Sequence, residues 1–194
     1  MTTFQMYLQL GIEHIIDLKG YDHLLFLITL MAVYQIRQWK KILILVTAFT
    51  LGHTTSLIIA SFNLISISSR WVEFLIPVTI CLTALVNIFQ MKADSSKGHH
   101  LYKYIMSLGF GLIHGLGFSN YLRSLFLKED SIAGPLFSFN LGIEAGQLMI
   151  VASFLILGII TLELFKVKLR EWNLVFSGAG LGISIILMLE RFPI

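Results

Sequence analysis

The sequence predicts an all-α fold: a polytopic membrane helix bundle with about six transmembrane helices plus an N-terminal amphipathic helix. Three observations carry this. Of the 194 residues, 56% are hydrophobic and only 13% are charged, whereas a soluble domain carries about a quarter charged residues. The mean hydropathy is +0.82. Apolar runs recur along the whole chain without the apolar–polar alternation of barrel strands, which leaves helices as the crossing elements.

The elements follow in order. Residues 4–18 are too short and too polar to span, and read as an amphipathic helix lying on the surface or folded into the bundle mouth. The first span, 22–36, is short for a hydrocarbon core of about 30 Å. It starts after Gly20, a residue suited to a sharp turn, with Asp22 placed to cap the helix. Further spans are expected at 39–62, 71–91, 102–127, 135–165 and 172–189, the fifth being long enough to tilt or protrude. Residues 92–100 are the most polar stretch and read as a cytoplasmic connection, which puts His99 and His100 in solvent. No linker or soluble segment interrupts the pattern, so 1–194 is expected to form a single integral membrane domain. Cys81 lies inside an apolar run and permits no intrachain disulfide. The start, Met1 to Gln9, lacks the basic region and small-residue cleavage site of a signal peptide.

Basic residues sort between alternate loops. One side holds Arg37, Lys40, Lys41, Lys92, Lys97, Lys103, Lys166, Lys168 and Arg170; the other holds Lys19, Arg70, Lys128 and Arg191. Nine against four in short loops predicts that the first side is cytoplasmic and both termini face outward. The net charge of +3 then reflects inner loops facing the lipid bilayer, and no nucleic-acid partner is implied.

Against this apolar background the ionisable residues stand out, because a charge near the bilayer centre costs at least a few kcal/mol and is kept mostly for function. Gly11 to His23 carries His14, Asp22 and His23 at the mouth of the first span. The second span carries His53 beside Thr50 and Thr54, and the fourth carries His114 among Gly109, Gly111, Gly115 and Gly117. Those glycines allow close packing and make a kink there an expectation. In the fifth span Asn140, Glu144 and Gln147 are spaced i, i+4, i+7 and form one polar stripe. With Glu73 at the outer entrance of the third span, all these residues map between the outer surface and the midplane. Imidazole and carboxylate are the ligands of Zn, Ni, Co or Fe(II). The inner half offers only Asn87 and Gln90 in the third span. Each residue alone has a packing explanation: Asp22 as a cap, Glu73 paired with Arg70, a histidine bonded to a hydroxyl. Three spans carrying His53, His114 and Glu144 at matching depth fit packing poorly.

The motifs Gly11-x-x-His14, Gly20-x-Asp22-His23-Leu24-Leu25-Phe26, Phe49-Thr50-x-Gly52-His53-Thr54, Phe110-Gly111-Leu112-x-His114-Gly115-x-Gly117-Phe118 and Phe139-Asn140-x-Gly142-x-Glu144-x-Gly146-Gln147 resemble the HupE/UreJ family from about Gly11 to Met188. The resemblance implies a bacterial inner-membrane protein linked to hydrogenase and urease maturation and regarded as a nickel or cobalt permease. It makes His14, Asp22, His23, His53, His114 and Glu144 metal-site residues, with Glu73, Asn140 and Gln147 in support. Nickel or cobalt would be the substrate, with zinc as a further candidate and a second copy of the chain as a partner. The absence of a G-x4-G-K-[ST] motif implies movement without ATP. A different class remains open: a zinc-type intramembrane hydrolase, with Glu144 or Asp22 as base, acting on a lipid or peptide from the outer face. The inner half decides between them. A polar path below His114 favours transport, and tight apolar packing favours the enzyme.

Overall fold

The computed structural model describes residues 2–18, 20–62, 67–89, 97–126 and 131–193, with the side chains at 97–100, 120, 123 and 126 outside that description. Seven α-helices make up almost all of these residues: α1 (Thr3–Ile16), α2 (Asp22–Met31), α3 (Trp39–Ser61), α4 (Ser69–Phe89), α5 (Lys97–Phe126), α6 (Ala133–Gly158) and α7 (Leu169–Glu190). A 3₁₀ turn, Ile36–Gln38, leads into α3, and α6 continues as a π-helical segment, Ile159–Leu164.

α1 begins at a capping box. Thr2 accepts from the Gln5 amide and the Gln5 side chain accepts from the Thr2 amide, at 3.2 and 3.0 Å. Its buried residues, Tyr7, Gly11 and Ile15, recur every four positions and form one narrow face. That face is packed against α6. A Cβ on Gly11 would strike the Phe139 carbonyl, and one on Gly142 would strike the Leu8 carbonyl. Ile15 meets Gly146 one turn further on, so the two helices run in the same direction. Of the two placements expected for this amphipathic helix, the bundle is the one observed.

A second glycine seam joins α3 to α5. Gly52 lies against the backbone at Leu108, Gly111 against Phe49, and Gly115 against Ser56 and the backbone of His53. These two helices are also parallel. Four glycines therefore do not break α5, which is continuous over 30 residues. Close backbone approach is what they provide.

Four described helical stretches are long and apolar enough to cross a membrane: Ile36–Ser61, Ser69–Phe89, Ala133–Leu164 and Leu169–Glu190. The expected count of six is not reached, for two physical reasons. α2 stops after 10 residues, about 15 Å of helix against a core of about 30 Å. α5 has the length but carries too many glycine, serine, histidine and basic residues. It also starts at Lys97, so His99 and His100 belong to its first turn rather than to a loop, while 90–96 lie outside the described residues.

α2 runs parallel to α4. Its first turn lies level with Thr79, through His23 and His114, and its last turn lies level with Asn87, whose side-chain amide donates to the Thr29 carbonyl at 2.6 Å. α6 runs antiparallel to α3, with Asn140 opposite Thr54 and Gln147 opposite Thr50. α1 and α2 thus follow one another in a single direction, interrupted by residues 17–21. A polar network ties α2, α4 and α7 together. Asn87 donates to Thr29 and Ser177, Asn173 donates to the Asn87 carbonyl, and Ser177 donates to Asn173.

Candidate metal centre

Four histidines from four helices meet in the middle of the bundle. His14 comes from the last turn of α1 and His23 from the first turn of α2; His53 lies in α3 and His114 in α5. His23 is central, with ring centroids 4.7 Å from His14, 5.7 Å from His53 and 5.1 Å from His114. His14 and His53 are 5.9 Å apart. Local sequence explains the approach. Gly115 has no side chain to hold off the turn carrying His53, and Gly11 lets α1 sink against α6 until His14 reaches the cluster.

One ring nitrogen each from His14, His23 and His53 lies within 4.8 Å of the other two. Two nitrogens held about 2.1 Å from one ion are at most about 4.2 Å apart. Small side-chain rotations would therefore close the trio on a metal. His23, His53 and His114 are buried, at 6%, 0% and 1% exposure. Nε2 of His14 and His23, both nitrogens of His53 and Nδ1 of His114 are buried without a hydrogen-bond partner. Buried polar atoms in a folded protein are nearly always paired. Neutral imidazole offers one lone pair per ring, so the four histidines supply up to four nitrogen donors of the kind a transition metal takes, and the residues fit the ion.

His114 is oriented by a residue that the sequence did not single out. Its Nε2 lies 3.1 Å from Thr79 Oγ1. Thr79 has one hydroxyl proton, which it donates to the Ile76 carbonyl at 2.7 Å. The Thr79 oxygen can then only accept, so His114 Nε2 carries the proton and its unpaired Nδ1 is a lone pair. Metal-binding histidines are commonly fixed in this way through their other nitrogen.

Aromatic rings surround the cluster. Phe118 lies 3.9 Å from His14, and Phe26 and Phe49 lie 5.2 and 5.1 Å from His114. They exclude water, which strengthens any charge interaction inside. On one side the shell opens. His14 lines a broad cleft of about 620 Å³ together with Glu13, Asp17 and Tyr121.

The other expected residues are placed differently. Asp22 Oδ2 accepts from Arg191 at 3.0 Å, which ties the start of α2 to the end of α7, while its Oδ1 is buried and unpaired. Tyr21, not Asp22, holds the N-cap position. Glu144 is half-buried on the α6 stripe and lies outside the converging trio. Its neighbours Asn140 and Gln147 join α6 to the turn carrying His53: Thr54 donates to Asn140 at 2.6 Å, and Thr50 Oγ1 is 2.6 Å from the Gln147 amide. Glu73 is exposed on α4.

Thr79 is not marked out in the sequence, and Arg191 enters there only as a loop charge. Arg191 lies 169 residues from its partner, and a threonine in an apolar run has no distinguishing mark.

The chain is a membrane protein with a histidine cluster compatible with a metal ion. No curated protein and no solved structure is detectably similar to it. The family model described as HupE / UreJ protein matches residues 1–191, and the chain belongs to that family.

Proposed function

We propose that this protein is a permease for a divalent transition metal, nickel or cobalt, whose transient site is His14, His23, His53 and His114. The observation that carries the reading is the cluster of four histidines, each with a buried ring nitrogen that has no hydrogen-bond partner. Neutral imidazole suits Ni(II) and Co(II), and Zn(II) as a competitor. The family, which is associated with nickel and cobalt transport, supports the same cargo.

α1 and α2 act together as one interrupted crossing. Their 14 and 10 residues amount to about 36 Å of helix, and transporter sites are commonly built where a membrane helix is broken near the midplane. Thr79, level with the cluster, is the eleventh of 21 residues in α4. With the 30-residue α5 as a further crossing, sheltered by its seam on α3, the chain crosses six times, with both termini on the outer face of a bacterial inner membrane. The cleft holding Glu13 and Asp17 is the outer entry, where two carboxylates attract a cation.

The hydrolase reading is not favoured. The converging ligand set contains no carboxylate. Asp22 is engaged by Arg191. Ser56 and Ser119 donate to their own helices, at the His53 and Leu116 carbonyls.

The test is metal content of the purified protein followed by uptake of Co(II) into proteoliposomes. Bound metal at about one ion per chain, and accumulation lost in His53→Ala, are expected. Tightly held metal with no accumulation would overturn the permease.

A further inference from the structure

A permease needs a way in from the cluster to the cytoplasm, and α4 carries a row of polar residues that begins there. Thr79, Thr83 and Asn87 are spaced by four on one helix face, and all are buried, at 2%, 5% and 4% exposure. α4 and α5 run antiparallel, with Thr79 opposite His114 and, one and two turns on, Thr83 and Asn87 beside Phe110 and Ser107.

Some hydroxyls of the bundle tie helices together: Thr50 and Thr54 reach α6, and Ser107 donates to the Leu45 carbonyl of α3. Thr83, like Thr79, Ser56 and Ser119, is of the other kind. It donates to Thr79 O of its own helix at 2.8 Å, which leaves its oxygen lone pairs facing the seam. Beside it is a cavity of about 20 Å³, room for about one water molecule, where Thr83, Asn87, Ser107 and Lys103 share the lining with the apolar Phe110, Leu30, Val86 and Met106. Between cavity and histidines lies the Phe110 ring, 6.1 Å from Phe26, which itself contacts His114.

We infer that the ion leaves the histidine cluster along the α4–α5 seam, past Thr79 and Thr83 to the cavity at Asn87 and Ser107, with Phe110 closing the seam between them. This rests on the permease reading. The oxygens replace part of the ion's hydration shell as it passes. Phe110 must swing aside for each ion, and the thin contact between α4 and α5 permits that more readily than the glycine seam on α3.

The experiment compares wild type, Thr83→Val and Thr83→Ser, with Co(II) as the probe for both binding and uptake into proteoliposomes. Valine keeps the shape and removes the oxygen. Co(II) stoichiometry and the visible spectrum of the bound ion should be unchanged in all three. Uptake should fall about tenfold or more in Thr83→Val and return in Thr83→Ser. Lys103→Gln gives a second readout: a fixed positive charge beside the route repels a divalent cation, so its removal should raise uptake severalfold. Wild-type protein that binds Co(II) but accumulates none would overturn the permease and the route together. Normal uptake by Thr83→Val, or unchanged uptake by Lys103→Gln, would overturn the route alone. Should Thr83→Val fail to fold, Thr83→Cys in a Cys81→Ala background takes its place. Modification by a thiol reagent from the inner side is expected during turnover, and inertness would overturn the route.

Discussion

α5 touches α3 on one side and α4 on another, and the two contacts are made of different material. Toward α3 it presents Gly111 and Gly115, so backbone meets backbone and nothing between them can yield. Toward α4 it presents His114 and Phe110 against Thr79 and Thr83, a thinner seam of side chains with a cavity in it. The α1–α6 contact repeats the first design through Gly11, Gly142 and Gly146. The glycine seams fix the distances among the histidines. The side-chain seam is where movement costs little, because rotamers change more easily than backbones separate.

Mutations at the two kinds of seam should differ sharply. The largest effect is expected at Gly111→Ala, whose new methyl group collides with the Phe49 carbonyl, whereas Gly109→Ala has nothing within 4 Å. The first should lose several kcal/mol or fail to fold, and the second should stay within about 0.5 kcal/mol. Thermal unfolding in detergent checks both, and equal melting temperatures would mean that the glycine seam is not the rigid element.

His53→Ala or His114→Ala comes next, with Kd for Co(II) raised more than about 100-fold in a bundle that stays folded. Calorimetry reads the loss, and unchanged stoichiometry in both variants would remove the shared site. Thr79→Val should weaken binding about 10- to 100-fold by releasing the His114 ring, with Thr79→Ser restoring it. The ¹⁵N shifts of His114 report its tautomer independently of metal. The smallest effect belongs to Arg191→Gln. The Arg191–Asp22 pair is partly exposed, 27% and 14%, so about 1 kcal/mol of stability is expected to go. A clear change in the Co(II) spectrum there would bring Asp22 into the coordination shell.

How much of this could be read in advance follows from what makes a residue conspicuous. His14, His23, His53 and His114 were legible because imidazole is rare and costly in apolar runs. Their meeting needed only topology. Thr79 was not legible, since its role depends on which proton it spends on Ile76, and that is a matter of geometry. α1 was read as a helix, but its depth was ambiguous. Its buried face is only Tyr7, Gly11 and Ile15, and a glycine contributes nothing to hydrophobicity while permitting the deepest contact. Glu144 and Glu73 stood out by charge, yet neither joins the histidine trio. Charge signals cost, and only contacts assign a role.

The parallel pairing of α1 with α6 also has a consequence for how the protein is made. Gly11 waits for Gly142, which is 131 residues later in the chain. At about 5–20 residues per second, roughly 7 to 26 seconds of synthesis separate the two. During that interval the first helix is in or at the membrane with its glycine groove uncovered, and the histidine it carries has no fixed position. Metal binding therefore cannot guide early insertion of this chain; it becomes possible only after α6 has been made.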